Sequence, residues 1–304
     1  MNEAGILVTG ATGNVGSEVC RYLAGGAHVS GGHRVSGAVR PATLDARGSA
    51  ADRVAAALHG AEPRAFDLTD STTWEPALEG VGKVFLVRPP RISNVRRDMR
   101  PFIERMRERR IGHVVFLSVQ GAENTALIPH SRIERTIIEL EIPYTFIRPS
   151  FFMQNLSTTH LPEIRDERRI FVPAGDGRTN FVDVRDVAEA CAVALLNESH
   201  KGAAYTITGT ESYSYYEVAE RLSKELGREI RYEPARLLPF LSYQLSRGRK
   251  LVHAIVMYAL YSAARMGKAD GTTDTFQKLV GRGPHPLSEF LRDHRNAFVG
   301  APSA

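Results

Sequence analysis

An α/β fold, a Rossmann-type doubly wound parallel sheet with a smaller mixed α/β lobe after it, is predicted by three features of the sequence. Short apolar runs alternate with helical stretches through the first half of the chain, as in successive βαβ units. Those runs are continuously apolar, which suits strands covered on both faces. A glycine-rich turn joins the first run to the first helix. Past Phe151 the pattern changes to longer helices separated by short strand-like pieces. The expected division is residues 1–150 and 151–304, with short pieces such as Phe181 and Val182 returning to the first lobe.

β-branched and aromatic content places strands at residues 5–9, 33–39, 64–67, 83–87, 113–118 and 144–148. Helices are expected between them, at 15–23, 50–58, 71–78, 94–109 and 131–140. Asp70 or Ser71 is placed to cap the third of these, ahead of Trp74. Two connections are long. AGGAHVSGG at 24–32 is a glycine-rich loop, and the length of 41–60 implies a helix that starts late. The second lobe is expected to hold helices at 184–196, 215–226 and 239–267, and strands at 204–207 and 229–232. Asp183 and Asp186 are expected to cap and open the first of those helices.

Composition removes several classes of function. At 304 residues, with 43% hydrophobic and 24% charged residues, the chain can bury a sizeable core and is neither disordered nor fibrous. Two cysteines, Cys20 and Cys191, cannot build a disulfide framework, and both fall in apolar helical patterns as small buried side chains. The longest oily stretch, 251–264, is too short to span a bilayer and is interrupted by His253 and Tyr258, so no membrane partner is expected. MNEAGILVTG lacks a basic leader region, which predicts a cytoplasmic protein. The formal charge of +5 gathers in 88–110, with nine arginines against three acids. They have no pattern of interleaved aromatics, Phe102 being the one aromatic in the segment, and no helix-turn-helix or zinc-ligand spacing accompanies them. That segment therefore reads as a solvated helix face, and no nucleic-acid partner is expected.

The strongest motif is Gly10-Ala11-Thr12-Gly13-Asn14-Val15-Gly16, between the first strand and the first helix. Gly10 permits the tight turn, Gly13 lets the backbone approach a pyrophosphate, and Gly16 allows close helix–strand packing. The N–H groups at Asn14 and Val15 and the helix dipole attract the anion, and Thr12 belongs to the same loop. At the end of the second strand, where an acid would bind the ribose of NAD, stands Arg40, which can pair with a 2′-phosphate. The expected cofactor is therefore NADP(H), as NADPH. Asp67 and Leu68 would flank the adenine. Val87, Arg88 and Pro89, where the fourth strand ends, join the candidate cofactor contacts, although Arg88 can also meet an acidic substrate or point outward.

Together these segments resemble the NmrA-like branch of the atypical short-chain dehydrogenases/reductases. The resemblance runs nearly end to end through LVTGATGNVG, AVRP, FDLTD, VFLVRPP, VVFLSVQGA, PHSRIERTIIELEIPYTFIRPSFFMQN, NFVDVRDVAEA and FQKLVGRGPHPLSEFLRDH. The family includes quinone, dye and isoflavone-type reductases, and NADP-binding regulators without obvious turnover. The resemblance implies that Pro149, Ser150, Phe151 and Phe152 lie beside the nicotinamide, with Phe151 and Phe152 either packing on it as an apolar wall or standing as plain core aromatics; Gln120, after the fifth strand, can reach the cofactor. Ser118 occupies the place of the family's usual serine, as an active-site contact or a structural residue.

Typical short-chain dehydrogenases pair a tyrosine with a lysine four residues on, and no tyrosine here has one. Counted back from Ile147-Arg148-Pro149, the lysine position falls at His130 and the tyrosine position at Ala126. His130 can contact the nicotinamide ribose or donate a proton; as a plain alternative it is a loop residue capping the next helix. Glu134, one turn on, can orient it or be a surface carboxylate. Tyrosines and Met257 within 243–266 either line a pocket or face the core. No metal-ligand spacing and no GxSxG occur.

These features predict an NADPH-dependent oxidoreductase acting on a conjugated or aromatic small molecule: a quinone, enone, imine or dye, or a natural-product intermediate. Such acceptors need little acid assistance. A non-enzymatic NADP(H) sensor is the competing class. The expected assembly is a monomer or homodimer.

Overall fold

The computed structural model describes residues 4–25, 33–44 and 49–300, so most of the expected glycine-rich loop at 24–32 lies outside the described residues. Two compact units are present: Met1–Pro149 with Val184–Ile207 and Lys278–Gly281, and Ser150–Asp183 with Thr208–Gln277 and Arg282–Ala304. The segments that rejoin the first unit are thus Val184–Ile207 and Lys278–Gly281, whereas Phe181 and Val182 stay in the second.

Six strands come from the first part of the chain: β1 (Gly5–Val8), β2 (Val35–Val39), β3 (Glu62–Ala65), β4 (Val81–Val87), β5 (His113–Leu117) and β6 (Tyr144–Pro149). Then come β7 (Phe151–Phe152), β8 (Arg169–Val172), β9 (Arg178–Val182), β10 (Ala203–Ile207), β11 (Ser212–Ser214) and β12 (Arg231–Pro234). The first unit is a parallel sheet in the order β10-β6-β5-β4-β1-β2-β3. The order turns back between β1 and β4, the position where open α/β sheets bind ligands at their carboxyl ends. Every residue of β1 and β2 is buried. Leu7, Phe66, Trp74, Leu86, Phe102, Phe116 and Phe146 form one apolar layer against the sheet. Cys20 and Cys191 are buried free thiols, and burial pushes Cys20 up to about 12, far from a reactive thiolate.

Several boundaries differ from the sequence expectation for physical reasons. β3 begins earlier than expected and leaves Asp67 beyond it; as an edge strand it is largely exposed and tolerates Pro63. The 94–109 helix is two helices, Val95–Asp98 and Arg100–Glu108, because Pro101 has no N–H to give and its ring cannot follow an uninterrupted turn. Asp70 does cap its segment, accepting from the Thr72 amide at 3.1 Å, but the first turn is a 3₁₀ turn, Ser71–Thr73, ahead of Trp74–Leu78. The helix expected from residue 131 starts at Pro129, which suits the first turn. The arginines of 88–110 are mostly paired: Arg97 with Asp98 at 2.6 Å, Arg100 with Glu104 at 2.7 Å and Glu139 at 2.9 Å, Arg105 with Glu75 at 3.0 Å.

In the second unit β11 and β7 flank β9, and β12 pairs with β8. Phe151 and Phe152 pair in parallel with Phe181 and Val182. The helix Tyr215–Leu226 is closed at its start by a Ser214–Glu217 capping box and at its end by Gly227 in the left-handed region. The expected 239–267 helix is two, Leu237–Ser246 and Leu251–Arg265, divided where Gly248 takes φ 76°.

Candidate functional site

At the end of β1 the buried Thr9 hydroxyl donates to the Phe85 carbonyl and accepts from the Val87 amide, both at 2.9 Å. This clip pins the entry of the glycine loop to β4. Gly10 then turns with φ 65°, and its carbonyl accepts from the Gly13 amide at 2.9 Å. A Cβ on Gly16 would stand 2.2 Å from the Gly10 carbonyl oxygen, and one on Gly10 2.6 Å from a Val87 methyl. Only glycine allows the first helix, Asn14–Gly25, to start this close to the strand. Val15 is buried and anchors the helix, whereas Thr12, Gly13 and Asn14 are exposed around the helix's N-terminus. That is a cradle for a pyrophosphate.

Beside it, a cavity of about 130 Å³ is lined by Gly10, Thr12, Arg40, Asp67, Leu68, Val87 and Pro89 among others. Seven of the residues singled out in the sequence therefore meet at one place. Five lining residues were not singled out in the sequence as cofactor contacts: Thr9, Ala38, Thr43, Phe66 and Arg91. The signal for Arg91 was its place in RPPR. Pro89 accepts from the Ile92 amide at 3.0 Å, a tight turn that brings Arg91 back to Asp67, 3.4 Å away. Burial works to raise the Asp67 carboxyl, but the Thr69 amide and hydroxyl, with the charges of Arg91 and Arg40, outweigh it and hold it below its ordinary value. Arg40 is exposed at the rim.

Arg88 does not line this cavity. Its guanidinium donates to the Ile92 carbonyl at 2.6 Å and the Pro89 carbonyl at 3.2 Å, and its Nε reaches the Nε2 of His130 at 3.4 Å. It neither points outward nor stands among the cavity's cations. His130 is the second residue of the helix Pro129–Glu139 rather than a loop residue ahead of it, and its ring lies 6.1 Å from that of Phe116. Burial, reinforced by the Arg88 charge, lowers its pKa to about 3. Glu134 does not orient it: that carboxylate is buried and held by both arms of Arg148, at 2.7 and 3.0 Å.

At the carboxyl end of β5, Ser118 is buried and its hydroxyl has no hydrogen-bond partner. A buried hydroxyl left unpaired is unusual and suits a group that completes its bonding with a ligand. Gln120 is half-buried, and its amide donates to the carbonyl of Pro149 at 3.0 Å, tying the loop after β5 to the end of β6. The glycine cradle, the Arg40 rim and the orphaned Ser118 hydroxyl together fit a phosphorylated dinucleotide. Ser150, Phe151 and Phe152 belong to the second unit. There Ser150 donates to Asn180 at 2.8 Å, and the Phe151 ring packs 5.7 Å from that of Tyr261. Met257 and Tyr258 pack against the core of that unit.

A parallel sheet with a glycine cradle at its reversal point defines a Rossmann-type nucleotide-binding protein. Residues 2–291 match the NmrA-like family, and the chain belongs to it. It is 32% identical over 301 residues to an NAD(P)H azoreductase of Xenophilus azovorans, covering 97% of this chain and 100% of the relative. To a (4-alkanoyl-5-oxo-2,5-dihydrofuran-3-yl)methyl phosphate reductase of Streptomyces griseus subsp. griseus it is 31% identical over 305 residues, covering 97% and 99%. Among solved structures it is similar to the Citrobacter sp. triphenylmethane reductase complexed with NADP(H), with a TM-score of 0.79 and 26% identity over 95% of this chain and 99% of that one.

Proposed function

We propose that this protein is an NADPH-dependent oxidoreductase that reduces a conjugated or aromatic small molecule: a quinone, enone, imine or dye-like acceptor, or a natural-product intermediate. The observation that carries this reading is the grouping of Arg40 and Arg91 with Gly10, Thr12, Asp67 and Leu68 around one cavity at the sheet's reversal point. NADPH, when bound, supplies the hydride. The azoreductase, the phosphate reductase and the triphenylmethane reductase to which the chain is similar support the reaction class.

The chain's own residues then have distinct tasks. The Gly10–Gly16 turn and the N-terminus of the first helix bind the pyrophosphate, and Arg40 selects the 2′-phosphate with Arg91 beside it. His130, held neutral with Nε2 accepting from Arg88, carries its proton on Nδ1 and acts as a positioning donor rather than an acid. Ser118 offers a hydroxyl that no protein group occupies. With no tyrosine–lysine pair, proton delivery contributes little, and orientation and exclusion of water contribute most. The smaller second unit is assigned to acceptor recognition.

Calorimetric titration with NADPH and NADH tests this, using the unmodified protein and Arg40→Ala. The expected result is preference for NADPH, with a loss of about 10- to 100-fold in the variant and no change for NADH. An acceptor panel follows. Failure to bind either nucleotide, or NADPH binding with no acceptor reduced, overturns the proposal.

A further inference from the structure

The helices Leu237–Ser246 and Leu251–Arg265 of the second unit pack on each other. Phe240, Ala254, Tyr261 and Ala264 face inward. The opposite faces are apolar and open. Leu238 is 76% exposed, Val252 69% and Leu260 53%, with Ile255 and Val256 half exposed between the last two. Val252, Val256 and Leu260 follow one another at i, i+4 and i+8, so they form a continuous row rather than scattered surface residues.

Along the segment that carries this row the charge has one sign. From Pro234 to Ala269 there is no Asp or Glu, while Arg236, Arg247, Arg249, Lys250, Arg265 and Lys268 stand at or just beyond the helix ends. Arg247 is held by Glu167, and Arg249 by the Thr159 carbonyl at 3.2 Å. Arg236, Lys250, Arg265 and Lys268 are exposed, and among the described residues none of them has an acidic partner. A second copy stacked antiparallel on this face would bring Lys250 toward the other copy's Arg265, with no acid on either helix to compensate. A bilayer surface satisfies both properties: the apolar row enters the headgroup–acyl boundary by about 5–10 Å, and the cations meet anionic headgroups.

We propose that this helix pair docks the protein on an anionic phospholipid surface, lying in the interface. No helix among the described residues is long and apolar enough to cross a membrane. The expectation of no membrane partner rested on segments that span, and a surface-lying face escapes that search. This proposal stands independently of the oxidoreductase function.

Flotation of the full chain with phosphatidylcholine vesicles, with and without about 30 mol% phosphatidylserine, tests it. Lys250→Glu/Lys268→Glu and Val252→Asp/Val256→Asp are run in parallel, with circular dichroism to confirm folding and sedimentation velocity to read the oligomeric state. The protein is expected to float with the phosphatidylserine vesicles and be released by high salt. Removing cations should reduce partitioning by about five-fold per charge, and the aspartate pair should abolish it. Three outcomes overturn the proposal: protein that stays in the aqueous fraction with both vesicle types, binding indifferent to phosphatidylserine, or a dimer that the aspartate pair dissociates while vesicles capture nothing.

Discussion

Arg88 donates from Nε to the Nε2 of His130 at 3.4 Å, and this contact sets the state of the imidazole. The bond needs a lone pair on Nε2, so the ring's proton sits on Nδ1 and a second proton meets both burial and a neighbouring cation. Proton NMR of the histidines should show His130 still neutral at about pH 5, where an ordinary histidine is charged. In Arg88→Met the burial remains and the charge goes, so its midpoint should move part of the way back toward the ordinary value. An unchanged midpoint in that variant would remove Arg88 from the account.

Acid should cost stability through His113. It is fully buried at the start of β5, its Nε2 lies 2.9 Å from the Thr145 hydroxyl, and its Nδ1 has no partner. Burial, then Lys201 and Lys83, lowers its pKa to about 4. Because the folded pKa is depressed, the unfolded chain takes up this proton first as pH falls. Stability is therefore full above the ordinary histidine value and declines below it. Denaturant unfolding should show a loss of about 2 kcal/mol from this residue between about pH 8 and about pH 5, absent in a His113→Gln variant that folds.

Ser118→Ala separates chemistry from structure. The hydroxyl bonds to nothing in the protein, so its removal should leave thermal stability within about 0.5 kcal/mol or raise it slightly. A fall in turnover without a fall in stability would place the hydroxyl against a bound molecule. A marked loss of stability would show it to be structural.

Gly16→Ala should damage both the fold and nucleotide binding. The new methyl meets the Gly10 carbonyl, a backbone atom that cannot swing aside. The first helix must retreat from the strand, at about 1–3 kcal/mol by unfolding. NADPH affinity should fall at least ten-fold, since the loop carbonyl and amides move with it.

Glu134→Gln breaks a pair whose carboxylate is buried and whose arginine is held bidentately. The expected loss is about 3 kcal/mol, because Arg148 is left mostly enclosed without its counter-charge. Ordinary stability in the variant would mean that Glu123, 3.2 Å from Arg148, takes over as its partner.

Much of the nucleotide end was legible because its chemistry is local. A glycine turn needs its glycines at fixed offsets, and Arg40 follows directly on β2, so sequence neighbours are also neighbours in space. Arg91 escaped because its place depends on a proline turn folding back across the strand ends. Glu134 was misplaced for a related reason. Helical spacing set it near His130, but Arg148 on β6, reached only through tertiary packing, claims both of its oxygens. Helix breaks at Met99 and Gly248 were hidden by continuous helical patterns, although Pro101 and Gly248 were the punctuation.

The last strand of the large sheet, Ala203–Ile207, is synthesised after residues 150–183, which belong to the other unit. On the ribosome β6 therefore emerges with β5 on one side only, and its other edge keeps a bare row of amides and carbonyls until residue 207 has left the exit tunnel. Nascent chains stalled within this window present an open edge that invites pairing with other chains. Emergence of residue 207, rather than completion of the glycine turn, is the event that completes the sheet.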